Sequence, residues 1–123
     1  AAAFSSATAD TLSSELGNIY GSNFYNIVTF KKDQRGLNGV ISLEGTLAGL
    51  TGSILIALIY TMGALWSTTN ALLVIIAGTF GNLSDSIIGA TAERKNLLNN
   101  NAVNFLNTCI AAIIAFVLYM LVK

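Results

Sequence analysis

Two stretches of about 20 residues carry no charge at all, Leu47–Trp66 (LAGLTGSILIALIYTMGALW) and Ala102–Val122 (AVNFLNTCIAAIIAFVLYMLV). A helix of that length, rising 1.5 Å per residue, crosses a hydrocarbon core of ~30 Å. Both therefore read as transmembrane helices. Between them, Ala71–Ile88 is nearly as apolar and is broken only by Asn82, Ser84, Asp85 and Ser86, which makes it a third span with a polar end. Ala1–Gly17 is rich in Ala and Ser, and reads either as the end of an earlier span or as a helix packed within the bundle. The expected fold is all-α, a polytopic transmembrane helical bundle with spans at about residues 1–17, 43–66, 70–90 and 101–122. Tyr20–Val40, punctuated by Gly21, Gly36 and Gly39, reads as a loop with a short extended piece at Asn26–Phe30.

Without prolines, repeats or low-complexity linkers, residues 1–123 form a single expected domain. An Ala at position one with no basic stretch before the first apolar run argues against a signal peptide, and points to the C-terminal part of a longer membrane protein. Only 10% of the residues are charged, against roughly 25% in an average soluble domain. The net charge is zero, so nothing suggests nucleic acid as a partner. There is no His, and the single Cys109 lies in an apolar run as a small core residue, which leaves no zinc or disulfide framework.

The alternation of spans sorts the charges by side. If the helix from Leu47 leaves the side of the Tyr20–Val40 loop, the span from Ala71 returns to it, and Thr91–Asn101 shares that side. Lys31, Lys32, Arg35, Arg94 and Lys95 then face one compartment, which the positive-inside rule makes cytoplasmic; a cell inner membrane is the expected location. The six acids, Asp10, Glu15, Asp33, Glu44, Asp85 and Glu93, fall at or near the same ends. Only Lys123 falls on the far side.

Several polar groups are placed where lipid would not tolerate them. Gly78, Asn82, Asp85 and Gly89 recur at three- and four-residue spacing with Ser86 adjoining, one small polar stripe that must face protein or water. A carboxylate at membrane depth costs at least ~2.5 kcal/mol, so Asp85 marks a candidate site; the structural alternative is an acid solvated at the interface. Asp10, Ser14 and Gly17 form a matching stripe on the first helix. Asn99, Asn100 and Asn101 open the last span, followed by Asn104, Asn107 and Thr108, whose amides either serve a site or bond across helices. Ser42 and Glu44 open the helix Ser42-Leu-Glu-Gly-Thr, where a hydroxyl cap and an acid suit the N-terminal end. Gly45, Gly49, Ala48 and Gly52 would let another helix approach closely. Lys31, Lys32 and Arg35 beside RGLNGV either rest on anionic headgroups or hold phosphate. No GxxxxGK[ST] or GxGxxG motif is present. Carboxylates and basic residues together fit Mg2+ bridging carboxylate and phosphate oxygens.

The runs ADTLSSELG, TFKKDQRGLNGVISLEGTLAG, GNLSDSIIGATAERK and NNNAVNFLNT, in that order over Ala9–Thr108, resemble the C-terminal half of the integral-membrane family that includes plant phytyl-phosphate kinase. More distantly, SLEGTLAG resembles the KxxEGxxA/G element of CTP-dependent dolichol and phytol kinases and of phosphatidate cytidylyltransferases. The resemblance implies a membrane kinase that uses a nucleoside triphosphate, CTP by analogy, with Mg2+ on an isoprenoid monophosphate. Asp10 and Asp85 would then be metal-linked carboxylates and Glu44 part of the EG element. Lys31, Lys32, Arg35, Asn38 and Ser42 would handle nucleotide phosphates. Asn82 and Ser86 flank Asp85 on the substrate side, Arg94 and Lys95 are cytoplasmic anchors or phosphate contacts, and Asn100 and Asn104 line the site. Asn82 stands where the distant relatives carry the first Asp of GDLxxS, and Asn38-Gly39 where they carry the lysine of KxxEG. The expected partners are a nucleoside triphosphate, an isoprenoid lipid phosphate and membrane lipids, with N-terminal spans or an oligomer completing the protein. Alternatives are cytidylyl transfer, phosphorylation of another lipid, or a transporter or assembly subunit.

Overall fold

The computed structural model describes residues 1–63 and 67–123. Four helices run in chain order: α1 (Ala2–Tyr20), α2 (Leu43–Gly63), α3 (Thr68–Ile88) and α4 (Asn100–Val122). The chain is an all-α membrane bundle, and α2, α3 extended to Glu93, and α4 are each long and apolar enough to cross a membrane. The stretch expected to extend the second span to Trp66 lies outside the described residues. Each of α1 and α3 packs on all three other helices, whereas α2 and α4 barely meet. The serine-rich α1, shorter in apolar character than the others, is thereby held inside the bundle.

The interior is built from small residues. Ala9, Ala57, Ala77, Ala111, Ser5, Ser6 and Ser53 are buried, while Phe4, Met62, Phe105, Phe116 and Leu121 are exposed. Lipid tails are as apolar as Leu, so burying large side chains gains little between membrane helices, and close backbone packing takes over. Gly45, Gly49 and Gly52 of α2 meet Ala9, Ser13 and Gly17 of α1: a Cβ at Gly17 would stand 2.9 Å from the Gly45 Cα. The close approach foreseen for this glycine face is made by α1.

Three boundaries differ from expectation. Gly17 does not end the first helix, because its missing side chain serves the α2 contact and α1 runs on to Tyr20. The third helix does not give way to a loop at residue 90; it passes into a π-helical turn, Gly89–Glu93. Its start lies at Thr68, where the Ser67 hydroxyl accepts from the Asn70 N–H, inside what was read as loop. The Asn99 side chain caps α4 in the same way through Ala102 N–H, at 2.9 Å.

The segment between α1 and α2 holds a two-residue antiparallel ladder, β1 (Tyr25–Asn26) with β2 (Val40–Ile41). The extended piece expected at Asn26–Phe30 is thus a strand only at its first residue. Val28 and Thr29 instead donate their N–H groups to the Asn26 side-chain oxygen and close a turn.

Candidate functional site

At the end of the bundle that carries the α1–α2 segment, a cavity of about 300 Å3 opens between α1, α3 and α4. Its walls are polar: Asp10, Ser14 and Asn18 from α1, Asp85 and Ser86 from α3, and Asn100 and Asn104 from α4. Residues Gly36–Ser42 form its roof. Because α1 and α3 extend further than the sequence suggested, the acids are sunk below the helix ends. Asp10 lies ten residues from the end of α1, roughly 15 Å of helix.

The Asp10 and Asp85 carboxyls are within hydrogen-bonding reach of one another across the α1–α3 interface. Like charges at that range repel unless a proton or a cation lies between them. Asn107 fixes one of the pair: its side-chain amide donates to Asp85 Oδ1 at 2.6 Å, while its carbonyl accepts from the Ser6 hydroxyl at 3.2 Å. Glu93 adds a third carboxylate to the wall, close enough to interact electrostatically with both aspartates. It arrives there through the π-helical turn, a geometry that recurs at functional sites.

The roof is tied down by one side chain. Arg94 donates from Nε to the Asn38 main-chain oxygen at 2.6 Å and pairs through Nη2 with Asp33 Oδ2 at 2.8 Å. Gly39, at φ +74°, lies against Ala90 of the π-helical turn so closely that no side chain would fit. The Asp33 carboxyl is held below its ordinary range, first by the Gln34 N–H at 2.8 Å and then by Arg94.

The profile of the family described as "Integral membrane protein DUF92" matches residues 1–112. The chain belongs to this family. Among curated relatives, "Protein VTE6, chloroplastic" of Arabidopsis thaliana is 38% identical over 118 residues, covering 94% of this chain and 35% of that protein. An uncharacterized membrane protein of Methanocaldococcus jannaschii is 41% identical over 114 residues, 92% of this chain and 47% of its own length. Another uncharacterized membrane protein, from Synechocystis, is 36% identical over 115 residues, 93% of this chain and 45% of its own. The chain thus spans between about a third and a half of the length of these relatives. No solved structure matches it.

Of the residues singled out in this DUF92 chain, Asp10, Asp85, Asn38, Ser42, Ser86, Asn100 and Asn104 line the cavity. The others do not. Glu44 lies in the first turn of α2 and accepts from the Ser22 hydroxyl at 2.7 Å, beside the Ser42 cap on Gly45 N–H. Asn82 is buried one turn deeper, its amide nitrogen against Gly49 and its oxygen without a hydrogen-bond partner among the described residues. Lys31, Lys32, Arg35 and Lys95 are exposed away from the lining, and Arg94 is committed to the roof. Among the described residues no group of three or more His, Cys, Asp or Glu has the geometry to ligate an ion by itself. Glu93 and Asn18 were missed as site residues, whereas Asn107, expected either to serve a site or to bond across helices, bonds both Asp85 and Ser6. Asp85, Gly89 and Glu93 follow at four-residue spacing, so carrying the polar stripe one turn further would have found Glu93.

Proposed function

We propose that the protein is part of a membrane kinase that moves the γ-phosphoryl group of a nucleoside triphosphate, CTP by resemblance, to an isoprenoid monophosphate. The observation that carries this reading is the contact of two carboxyls, Asp10 and Asp85, in the wall of a polar cavity sunk between membrane helices. Support comes from the motif resemblance and from the likeness to the chloroplast protein.

Two adjacent carboxylates with amide neighbours suit Mg2+, which is commonly held by one or two carboxylates and completes its shell with water and phosphate oxygens. Asp10 and Asp85 would hold it, and when bound it would neutralise charge on the transferring phosphate. Asn107 fixes the rotamer of Asp85. Asn100, Asn104 and Ser86 offer neutral donors to phosphate oxygens, and the roof shields the site from bulk water. An oxygen of the acceptor phosphate attacks the γ-phosphorus, the bond to the β-phosphate oxygen breaks, and a prenyl diphosphate and a nucleoside diphosphate leave. The acceptor is already an anion, so no general base is required, and positioning with charge neutralisation carries the catalysis.

The test incubates the whole protein in detergent with Mg2+, each labelled nucleoside triphosphate, and a panel of prenyl alcohols and monophosphates. Transfer of label to a monophosphate, lost in Asp10→Asn and Asp85→Asn, is expected. Consumption of no nucleotide with any acceptor overturns the reading. Release of pyrophosphate would replace it with cytidylyl transfer.

A further inference from the structure

The α1–α2 segment has a second surface that the cavity does not use. Asn26 is 7% exposed and anchors a compact turn. Its side-chain oxygen accepts from Val28 and Thr29 N–H at 2.9 and 3.1 Å, and its main-chain oxygen accepts from Phe30 N–H at 2.8 Å. Its own N–H donates to the Lys31 oxygen at 2.9 Å. This bonding holds Phe30 at φ 54°, a left-handed conformation that bulky residues seldom adopt. The Phe30 ring is 78% exposed, with the half-exposed Val28 two residues away.

The charge around this knuckle is predominantly positive. Lys31, Lys32 and Arg35 are exposed. The only acid between residues 21 and 42 is Asp33, and its carboxylate is taken by Arg94. The knuckle is also tied to the helix ends: Tyr25–Asn26 pairs with Val40–Ile41 just before α2 begins at Leu43, and α1 ends at Tyr20, both of these helix ends strongly exposed. A ring flanked by exposed cations at the end of membrane helices complements an anionic bilayer surface, where the ring enters the headgroup–acyl boundary and the cations meet phosphates.

We propose that the Asn26–Lys32 knuckle is an anchor for anionic lipid, with Phe30 inserted at headgroup level and Lys31, Lys32 and Arg35 on lipid phosphates. The anchor would hold the outer edge of the cavity roof while Arg94 holds the inner edge. It does not depend on the kinase reading, because its test measures fluorescence and not turnover.

The whole protein is reconstituted in vesicles of phosphatidylcholine, with or without phosphatidylglycerol. Phe30→Trp is made in a background where Trp66 and any other tryptophan is replaced by Phe. The expected result is loss of emission to lipids brominated near the headgroup, protection from aqueous iodide, and stronger bromolipid quenching with phosphatidylglycerol. Lys31→Gln with Lys32→Gln should reduce that dependence on phosphatidylglycerol. Val28→Trp reports from the same turn and should give the same pattern should replacement of Phe30 perturb the fold. Full iodide access without bromolipid quenching overturns the proposal. Protection from both quenchers also overturns it, by placing the ring against protein. Quenching indifferent to phosphatidylglycerol overturns the headgroup assignment.

Discussion

Asn107 of α4 donates its side-chain amide to Asp85 of α3 at 2.6 Å, and this bond joins the last helix to the carboxyl pair. Through its carbonyl the same side chain accepts from Ser6 of α1 at 3.2 Å, so one buried amide links three helices beneath the cavity. Asn107→Leu leaves both partners unpaired. Interhelical bonds of this kind contribute about 0.6–1.7 kcal/mol. The variant should melt lower in detergent and lose roughly 10- to 100-fold in turnover, the scale for removing the partner that orients an active-site ligand. Unchanged turnover would show that Asp85 needs no orienting.

Asp10 and Glu44 are both acids on segments that flank the cavity, yet only Asp10 lines it. Asp10→Asn is expected to reduce phosphoryl transfer by at least about 10²-fold, the scale for losing one preorganised electrostatic contact at a transition state. Glu44→Gln should stay within a few-fold, since its neutral amide can still accept from Ser22. Equal losses in the two variants, measured by labelled transfer, would contradict the distinction.

The meeting of Gly17 with Gly45 makes a size prediction. Gly45→Leu must push α1 and α2 apart and should abolish a cooperative melt in detergent. Gly63→Leu is its control, because a Cβ there meets nothing within 4 Å among the described residues. If both variants melt alike, helix contact at the glycines is not what holds the pair together.

Arg94 and Asp33 predict how the roof responds to acid. A carboxyl held below its ordinary value of 3.8 contributes its stabilisation in full above that value and loses it as pH falls through the lower, folded one. A spin label at Leu37→Cys, in a Cys109→Ala background, should be ordered at neutral pH. It should become mobile below the ordinary aspartate range, and at neutral pH in Arg94→Gln. A label equally ordered in all three conditions would show that the ion pair does not secure the roof.

The spans were legible because about 20 uncharged residues in a row admit few other structures. The acid pair was legible in part, since Asp85 lay at membrane depth and Asp10 on a matching stripe. What escaped was whatever rests on backbone geometry. Gly17 looks like a stop in sequence and is a contact in space. The π-helical turn has no side-chain signature in GATAE, yet it brings Glu93 to the wall. Arg94 looked like a phosphate ligand by charge, but its Nε hydrogen bond is to the main-chain oxygen of Asn38, which no charge pattern encodes. Glu44, expected by resemblance to be part of the EG element, is bonded to a neighbouring loop.

Beneath the cavity the helices meet through Ala, Ser and Gly, and backbones nearly touch. At the opposite end of the bundle, Tyr60, Leu73, Val74, Ala112 and Phe116 line an apolar hollow of about 530 Å3. The small-residue packing thus parts the interior into a polar chamber at one end and an apolar one at the other.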